Sequence, residues 1–301
     1  MDNYARCFKA FEKASWSFDE EVGDLSFDFA KWFLPQRLSG VCQPAWMDEE
    51  TGRRVNQMRG HSYAHLFTVV EEFIIRQTVK ETPRYVHGDV NALGAMLQFT
   101  LDETKHQRMF VAVKDGIAQG LGFRPRELTG KDNIARDICS HSSFAVFLLA
   151  LAVEWLTQRH FVECFREEEN TLDPTFVKVF RLHWTEEAQH ARVDTLELRK
   201  QAECMSAEEV SASITEFSHM LLTLRECIYS QSELDVQSVE MLLEQPLEDS
   251  RRAELLDGFR EESLWTFVVS GLSHPSFRKV YKELVPAQNP DIDELIAVVR
   301  A

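Results

Sequence analysis

The segment HWTEEAQHARVD, residues 183 to 194, carries three side chains able to bind a metal: His183, Glu187 and His190. At about 100° per residue, steps of four and three bring them to within roughly 60° of one another on one helical face. One helix supplies only part of such a site. A second Glu-x-x-His pair, Glu103 and His106, lies in LDETKHQRMF, on the same face as Met96, Thr100 and Phe110. Two such pairs on separate bundle helices make half of a dinuclear centre, and each of the two remaining helices should then add one Glu.

Glu154 meets that requirement. It is the one charge in SFAVFLLALAVEWL, residues 143 to 156. A buried carboxylate must be neutralised or bound to something positive. The earlier run TVVEEFII offers Glu71 and Glu72. Thr68 stands four residues before Glu72, as Ala150 stands four before Glu154, so Glu72 is the expected ligand and Glu71 its alternate. Four carboxylates then balance two divalent ions, and oxygen with imidazole donors suits iron or manganese better than a sulfur-rich zinc site. Asp102 and Glu186, each just before a motif Glu, can accept the distal N–H of a ligating imidazole, and Asp194 one turn past His190 is a further candidate. His183 adds a third imidazole one turn before Glu187.

The elements that must position these groups are helices. Breakers and apolar spacing predict helices over about 4–16, 50–80, 90–119, 132–166, 174–202, 207–243 and 254–272, with a short one after Pro290. Asp89 can cap one of them, and Asp173-Pro174 opens another with Asp as N-cap. No stretch has sustained strand alternation. The prediction is an all-α, ferritin-like four-helix bundle over about 54–202, with additional N- and C-terminal helices at about 4–20 and 206–300, in one domain spanning 1–301. Gly120-Leu121-Gly122 follows a helix rather than a strand, so it reads as a C-cap and turn, not a phosphate loop.

Composition agrees. Of 301 residues, 44% are hydrophobic and 27% charged, enough for a sizeable core, and the scarcity of Gly (12) and Pro (9) favours long helices. A net charge of −16 with no basic stripe argues against a nucleic-acid partner and disfavours anionic membranes. Cys7, Cys42, Cys139, Cys164, Cys204 and Cys227 lack CxxC spacing and read as reduced, mostly buried thiols. The N-terminal stretch lacks a signal peptide's apolar core, and the run 143–156 falls short of the ~18 residues of a membrane span. The expected compartment is cytoplasmic.

With these motifs in place the sequence resembles the p-aminobenzoate N-oxygenase family of ferritin-like diiron oxygenases. That family's pattern is a Glu, then Asp-Glu-x-x-His, repeated, with an extra histidine four residues before the final Glu. Asp102-Glu103-Thr104-Lys105-His106 matches the first motif, and Glu186-Glu187-Ala188-Gln189-His190 matches the second with Glu in place of Asp. His183 falls on the extra-histidine position. The resemblance covers about residues 60 to 200. It implies two iron ions, cycling between Fe2+ and Fe3+, that use O2 to oxidise an amine nitrogen to a hydroxylamine and on to nitroso or nitro products. It also implies an external reductase, since no flavin or nicotinamide motif is present.

The substrate is expected to be a small amine or a carrier-protein-tethered amino acid. Arg76, Arg159 and His160 are candidates to hold its carboxylate, and Phe99, Phe110, Phe147, Trp155 and Phe161 either line its pocket or belong to the core. The alternatives are a diiron oxidase or hydroxylase acting at carbon, or a metal store or non-redox metal-dependent hydrolase. A homodimer is expected.

Overall fold

Two helical hairpins form the centre of the computed structural model, which describes residues 3–23, 25–39 and 44–301. In chain order the helices are α1 (Tyr4–Ala14), short α2 (Phe18–Glu21) and α3 (Gln36–Ser39), α4 (Glu49–Glu81), α5 (Val90–Leu121), α6 (Lys131–Ile138) and α7 (Ser143–His160). They continue as short α8 (Arg166–Glu168), α9 (Pro174–Ala202), α10 (Ala207–Leu243), α11 (Asp249–Leu264), short α12 (Ser270–Leu272), α13 (Pro275–Leu284) and α14 (Ile292–Arg300). Among the described residues the only strand-like pairing is an isolated bridge between Trp32 and Leu172.

The first hairpin is α4 and α5, joined by a 3-10 turn at Thr82–Tyr85 whose Pro83 cannot continue α4. The second is α7 and α9. Caps fall where the sequence places them. Asp89 accepts from Asn91 and Ala92, Asp173 from Phe176, and Gly122 closes α5 in the left-handed region at φ 79. Residues 55 to 71 of α4 are buried on every side, and α7 is nearly so, which explains their weak amphipathic pattern.

The expected helix over 132–166 is two helices. Residues 139–142 break it, and Ser142 restarts the chain as the N-cap of α7, accepting from Ala145. A π-helical turn, Phe161–Phe165, then leads into α8. The stretch Ser143–Glu168 is long and apolar enough to cross a membrane, contrary to the count over 143–156 alone, but 78% of its apolar window is buried inside the molecule. α13 was not predicted. Of the cysteines, Cys7 and Cys164 are buried, Cys139 and Cys227 are partly buried and Cys204 is exposed; Cys42 lies outside the described residues.

Outer layers lock the hairpins. α1 lies across α5 and α9. On the other side, buried Asp235 of α10 receives Arg59 and, at 2.5 Å, the Ser62 hydroxyl of α4, while Arg59 also reaches Ser263 of α11 at 2.7 Å. A second π-helical turn, Trp265–Val269, meets the first around His160, whose ring nitrogens pair with Tyr63 (2.7 Å) and Ser270 (3.1 Å).

At Gly271 a Cβ would stand 2.1 Å from the Ala152 carbonyl oxygen of α7, whereas Gly88 has open space around it. Gly271→Ala is therefore predicted to destabilise the protein by roughly 2–3 kcal/mol through forced backbone displacement, and Gly88→Ala to change little. Urea unfolding midpoints of the two variants check this, and equal midpoints would show that α12 has room to retreat.

Candidate dimetal centre

Glu71 of α4, Glu103 and His106 of α5, Glu154 of α7, and His183, Glu187 and His190 of α9 converge inside the bundle, all buried. Ligand atoms of Glu71, His106, His183 and Glu187 lie within 4.8 Å of one another, and so do those of Glu103, His106, Glu187 and His190. Glu187 reaches both groups. Its Oε1 is 2.5 Å from His183 Nε2 and 3.2 Å from His106 Nδ1, and its Oε2 is 2.7 Å from His190 Nδ1. Glu103 likewise spans His190 Nδ1 (3.0 Å) and His106 Nδ1 (3.4 Å). Glu154 approaches His190 Nδ1 at 3.9 Å, and Glu71 approaches His183 Nε2 at 3.2 Å.

The two motif histidines are oriented by each other's helix. His106 turns Nδ1 inward, and its Nε2 meets Glu186 of α9 at 2.9 Å. His190 also turns Nδ1 inward, and its Nε2 faces Asp102 of α5 at 3.6 Å. His183 differs, presenting Nε2 to the cluster. Rings brace them: Phe99 stacks on His190 at 4.1 Å, and Phe67 and Phe110 meet His183 edge-on at 5.0 Å.

The electrostatics are those of buried acids set against imidazoles. Burial pushes Glu71 up to about 8, with the nearby His183 imidazole pulling against it. Burial, then repulsion from Glu187, drives Glu154 well above the usual range. Against burial, hydrogen bonds and charge from Glu103, Glu186 and Glu187 hold His106 well above its ordinary value, and Glu187 with Glu103 does the same for His190. Without a metal, protons would be the only cations available to these acids. Both oxygens of Glu71 and one each of Glu103 and Glu154 find no hydrogen-bond donor, which is costly in a dry interior unless a cation sits among them. Four carboxylates and three imidazoles fit two divalent ions in charge and donor type.

Glu71, not Glu72, occupies the expected α4 position. Glu71 is 2% exposed, whereas the Glu72 side chain is 24% exposed and paired with Arg76 and Lys131. Counting from Thr68 misled, because the inward stripe is Phe67, Glu71, Ile74 and Thr78, and the Thr68 hydroxyl is spent on the His65 carbonyl. Asp194 is fully buried beside the centre, and burial raises it well above the usual carboxylate range.

The expected substrate contacts are not brought to the centre. Arg76 reaches outward to Asp132 and Glu72, Arg159 is spent on Ser270, Ser273 and Glu163, and both His160 nitrogens have partners. Phe147 is core, Trp155 stacks on His274, and Phe161 stacks on Trp184. What faces the cluster instead is a narrow gap lined by Phe67, Ile74, Val153 and Thr157, too tight for a water. Sequence reading also missed Lys105 and Trp16, which cover the His106 side; Lys105 sits at a motif position assigned no role.

The family profile of the p-aminobenzoate N-oxygenase AurF matches residues 5–236. The chain belongs to that family. The match extends the expected span of 60–200 to α1 and most of α10. It identifies the chain as an oxidoreductase of the oxygenase type built around a dimetal centre. No individual curated protein matches. A solved R2-like ligand-binding oxidase, a point mutant with an aerobically reconstituted Mn/Fe cofactor, aligns at 12% identity over 86% of this chain and 93% of its own, with a TM-score of 0.39.

Two predictions follow from the geometry of this family member. Glu71→Gln should weaken divalent-metal binding by about 10-fold or more, while Glu72→Gln leaves it near wild type; equilibrium dialysis with metal analysis decides, and the reverse order would restore Glu72 as the ligand. The second concerns pH. His106 and His190, raised in the folded state, contribute stability that is full below about 6.5 and is lost as pH rises through their folded values. Glu71, raised to about 8, adds a burial cost that grows as pH climbs from its ordinary value toward 8. The metal-free protein should therefore lose Tm from pH 6.5 to 9, and saturating metal should abolish the loss because it displaces those protons. A flat metal-free profile would show that the cluster is compensated in another way.

Proposed function

We propose that this chain is a diiron N-oxygenase that oxidises the amine nitrogen of a small or carrier-tethered substrate, drawing electrons from an external donor. The observation that carries the reading is His183: on the family's extra-histidine position, it presents Nε2 between Glu71 and Glu187 inside the cluster. Glu71, Glu103, His106, Glu154, His183, Glu187 and His190 would hold the two irons, which when bound supply O2 activation and redox equivalents.

The protein's own part is to hold, orient and exclude. A neutral imidazole at 183 adds a donor without adding negative charge to four carboxylates, which keeps the filled cluster near neutrality. Glu186 and Asp102 would hold the Nε2 protons of His106 and His190, leaving each Nδ1 lone pair for a metal. Phe67, Ile74 and Val153 keep the reaction face dry, and a dry apolar wall favours the uncharged amine, whose lone pair must be free to form the N–O bond. The gap holds no cation for a substrate carboxylate. The reacting end of the substrate is therefore apolar apart from its nitrogen, and its entry requires side chains to move.

In the expected outcome, the iron-loaded protein with a chemical reductant and 18O2 converts a member of an amine panel to a hydroxylamine carrying one labelled oxygen, seen by mass spectrometry. His183→Ala should retain most of its iron yet lose at least about 10-fold in this conversion. Labelling at carbon in amine-free analogues would favour a hydroxylase, and zinc-supported hydrolysis without O2 uptake would overturn oxygenation altogether.

A further inference from the structure

Lys105 lies inside the first Glu-x-x-His motif, between Glu103 and His106, yet its side chain turns away from the cluster and is only 13% exposed. Its ammonium donates to Asp102 Oδ1 (3.2 Å) and to Glu186 Oε1, with which it forms a short ion pair. The other oxygen of each carboxylate faces a histidine. Glu186 Oε2 is 2.9 Å from His106 Nε2, and Asp102 Oδ2 is 3.6 Å from His190 Nε2. Asp102 belongs to α5 and faces a histidine of α9, while Glu186 belongs to α9 and faces a histidine of α5. One cation thus sits at the crossing of two reciprocal carboxylate–imidazole pairs.

We propose that Lys105 is a positioning residue for both motif histidines, acting through Asp102 and Glu186; this rests on the reading of the cluster as a metal centre. The physical reason is the orientation each carboxylate must keep. A carboxylate free to rotate can leave the imidazole facing it without an acceptor, and that ring can then carry its proton on Nδ1, where the metal needs a lone pair. An ammonium bound to one oxygen of each carboxylate fixes its plane and turns the other oxygen toward the imidazole as an acceptor, which selects the Nε2–H tautomer in both rings. Gln98 supports the arrangement by donating to Asp102 Oδ1 at 2.9 Å.

The ammonium is itself held. Its Nζ stands 4.3 Å over the Trp16 ring and 3.4 Å from the Trp16 carbonyl oxygen, and the same indole stacks on His106 at 6.4 Å between centroids. Trp16 follows α1, so the N-terminal segment caps the clamp and shields it from water, strengthening each charge pair beneath. The second motif has Gln189 at the equivalent position, turned toward Arg192 at 3.0 Å. A single lysine serves both halves of the centre.

The test loads 15N-histidine-labelled protein with Zn2+, a diamagnetic probe, and reads zinc affinity together with imidazole tautomers by long-range 1H–15N NMR. Wild type should bind zinc with His106 and His190 each in one tautomer, protonated at Nε2. Lys105→Met should lose about 10–100-fold in affinity and show mixed tautomers at both rings, and Lys105→Arg should restore the single tautomer. A merely structural lysine would alter stability without touching the tautomers. Trp16→Leu provides a second route should Lys105→Met fail to fold, and it should weaken zinc binding and broaden both Nε2–H signals. Wild-type affinity and a single tautomer in Lys105→Met, or in Trp16→Leu where the Met variant does not fold, would overturn the clamp alone. A wild-type protein that binds no divalent metal would overturn the metal centre with it.

Discussion

Glu71, Glu103, Glu154 and Glu187 bring four carboxyl groups to the middle of a helical bundle, where each ionised group left unpaired would cost several kcal/mol. Most of what is specific about this chain can be derived from that one constraint. Without a metal, the acids can be held only by protons and by imidazolium, which is why Glu71 and Glu154 are driven upward while His106 and His190 are driven upward as well. Two divalent cations would resolve the same imbalance. The site is thus built to be least comfortable when empty, a usual consequence of arranging a functional centre ahead of its ligand.

Holding such a cluster requires a scaffold that cannot relax around it. The liganding side chains come from four long helices rather than loops, and Phe67 and Ile74 of α4 and Val153 of α7 set apolar groups beside them. Around this frame lie two layers of restraint. The buried Arg59–Asp235 pair and the close approach of Gly271 to Ala152 tie α10 and α12 to the hairpins. On the opposite side α1 covers the two motif helices, with Phe11 against His190 and the Tyr4 hydroxyl on Glu197 at 2.5 Å. The match of the family profile from residue 5 onward agrees with α1 being part of the functional unit rather than an appendage.

How much could be read in advance depended on whether a feature has a local signature. Spacing of three and four on a helix is local, so the two Glu-x-x-His pairs and His183 were legible, as was Glu154 through the absence of other charges around it. The choice between Glu71 and Glu72 was not, because adjacent residues on a helix buried all round are told apart only by what packs on each face, here the cavity on one side and Arg76 with Lys131 on the other. The interruption at 139–142 was hidden for a similar reason: Ser142 is a cap only because the chain turns there. The expected roles of Arg76, Arg159 and His160 failed because each satisfies a partner distant in sequence, and no periodicity reports that.

The same logic bears on selectivity. With the arginines turned away and both His160 nitrogens engaged, the narrow gap beside Glu71, Glu103 and Glu154 offers a substrate shape and dryness but no charge to grip. Discrimination at the reacting end must then come from what fits against Phe67, Ile74, Val153 and Thr157 and from what the metals accept as a donor. Charge is penalised against such a wall, because an ionised group entering it sheds its water and gains no partner in return. Farther out, Phe67 and Tyr63 pack edge-on and Phe267 of the second π-helical turn closes over both. Two π-helical turns border this wall, with Phe165 of the first and Phe267 of the second both packed on Tyr63, and such turns are frequent at functional sites. The long helices thus carry the liganding side chains, and the irregular turns shape the apolar surface beside them.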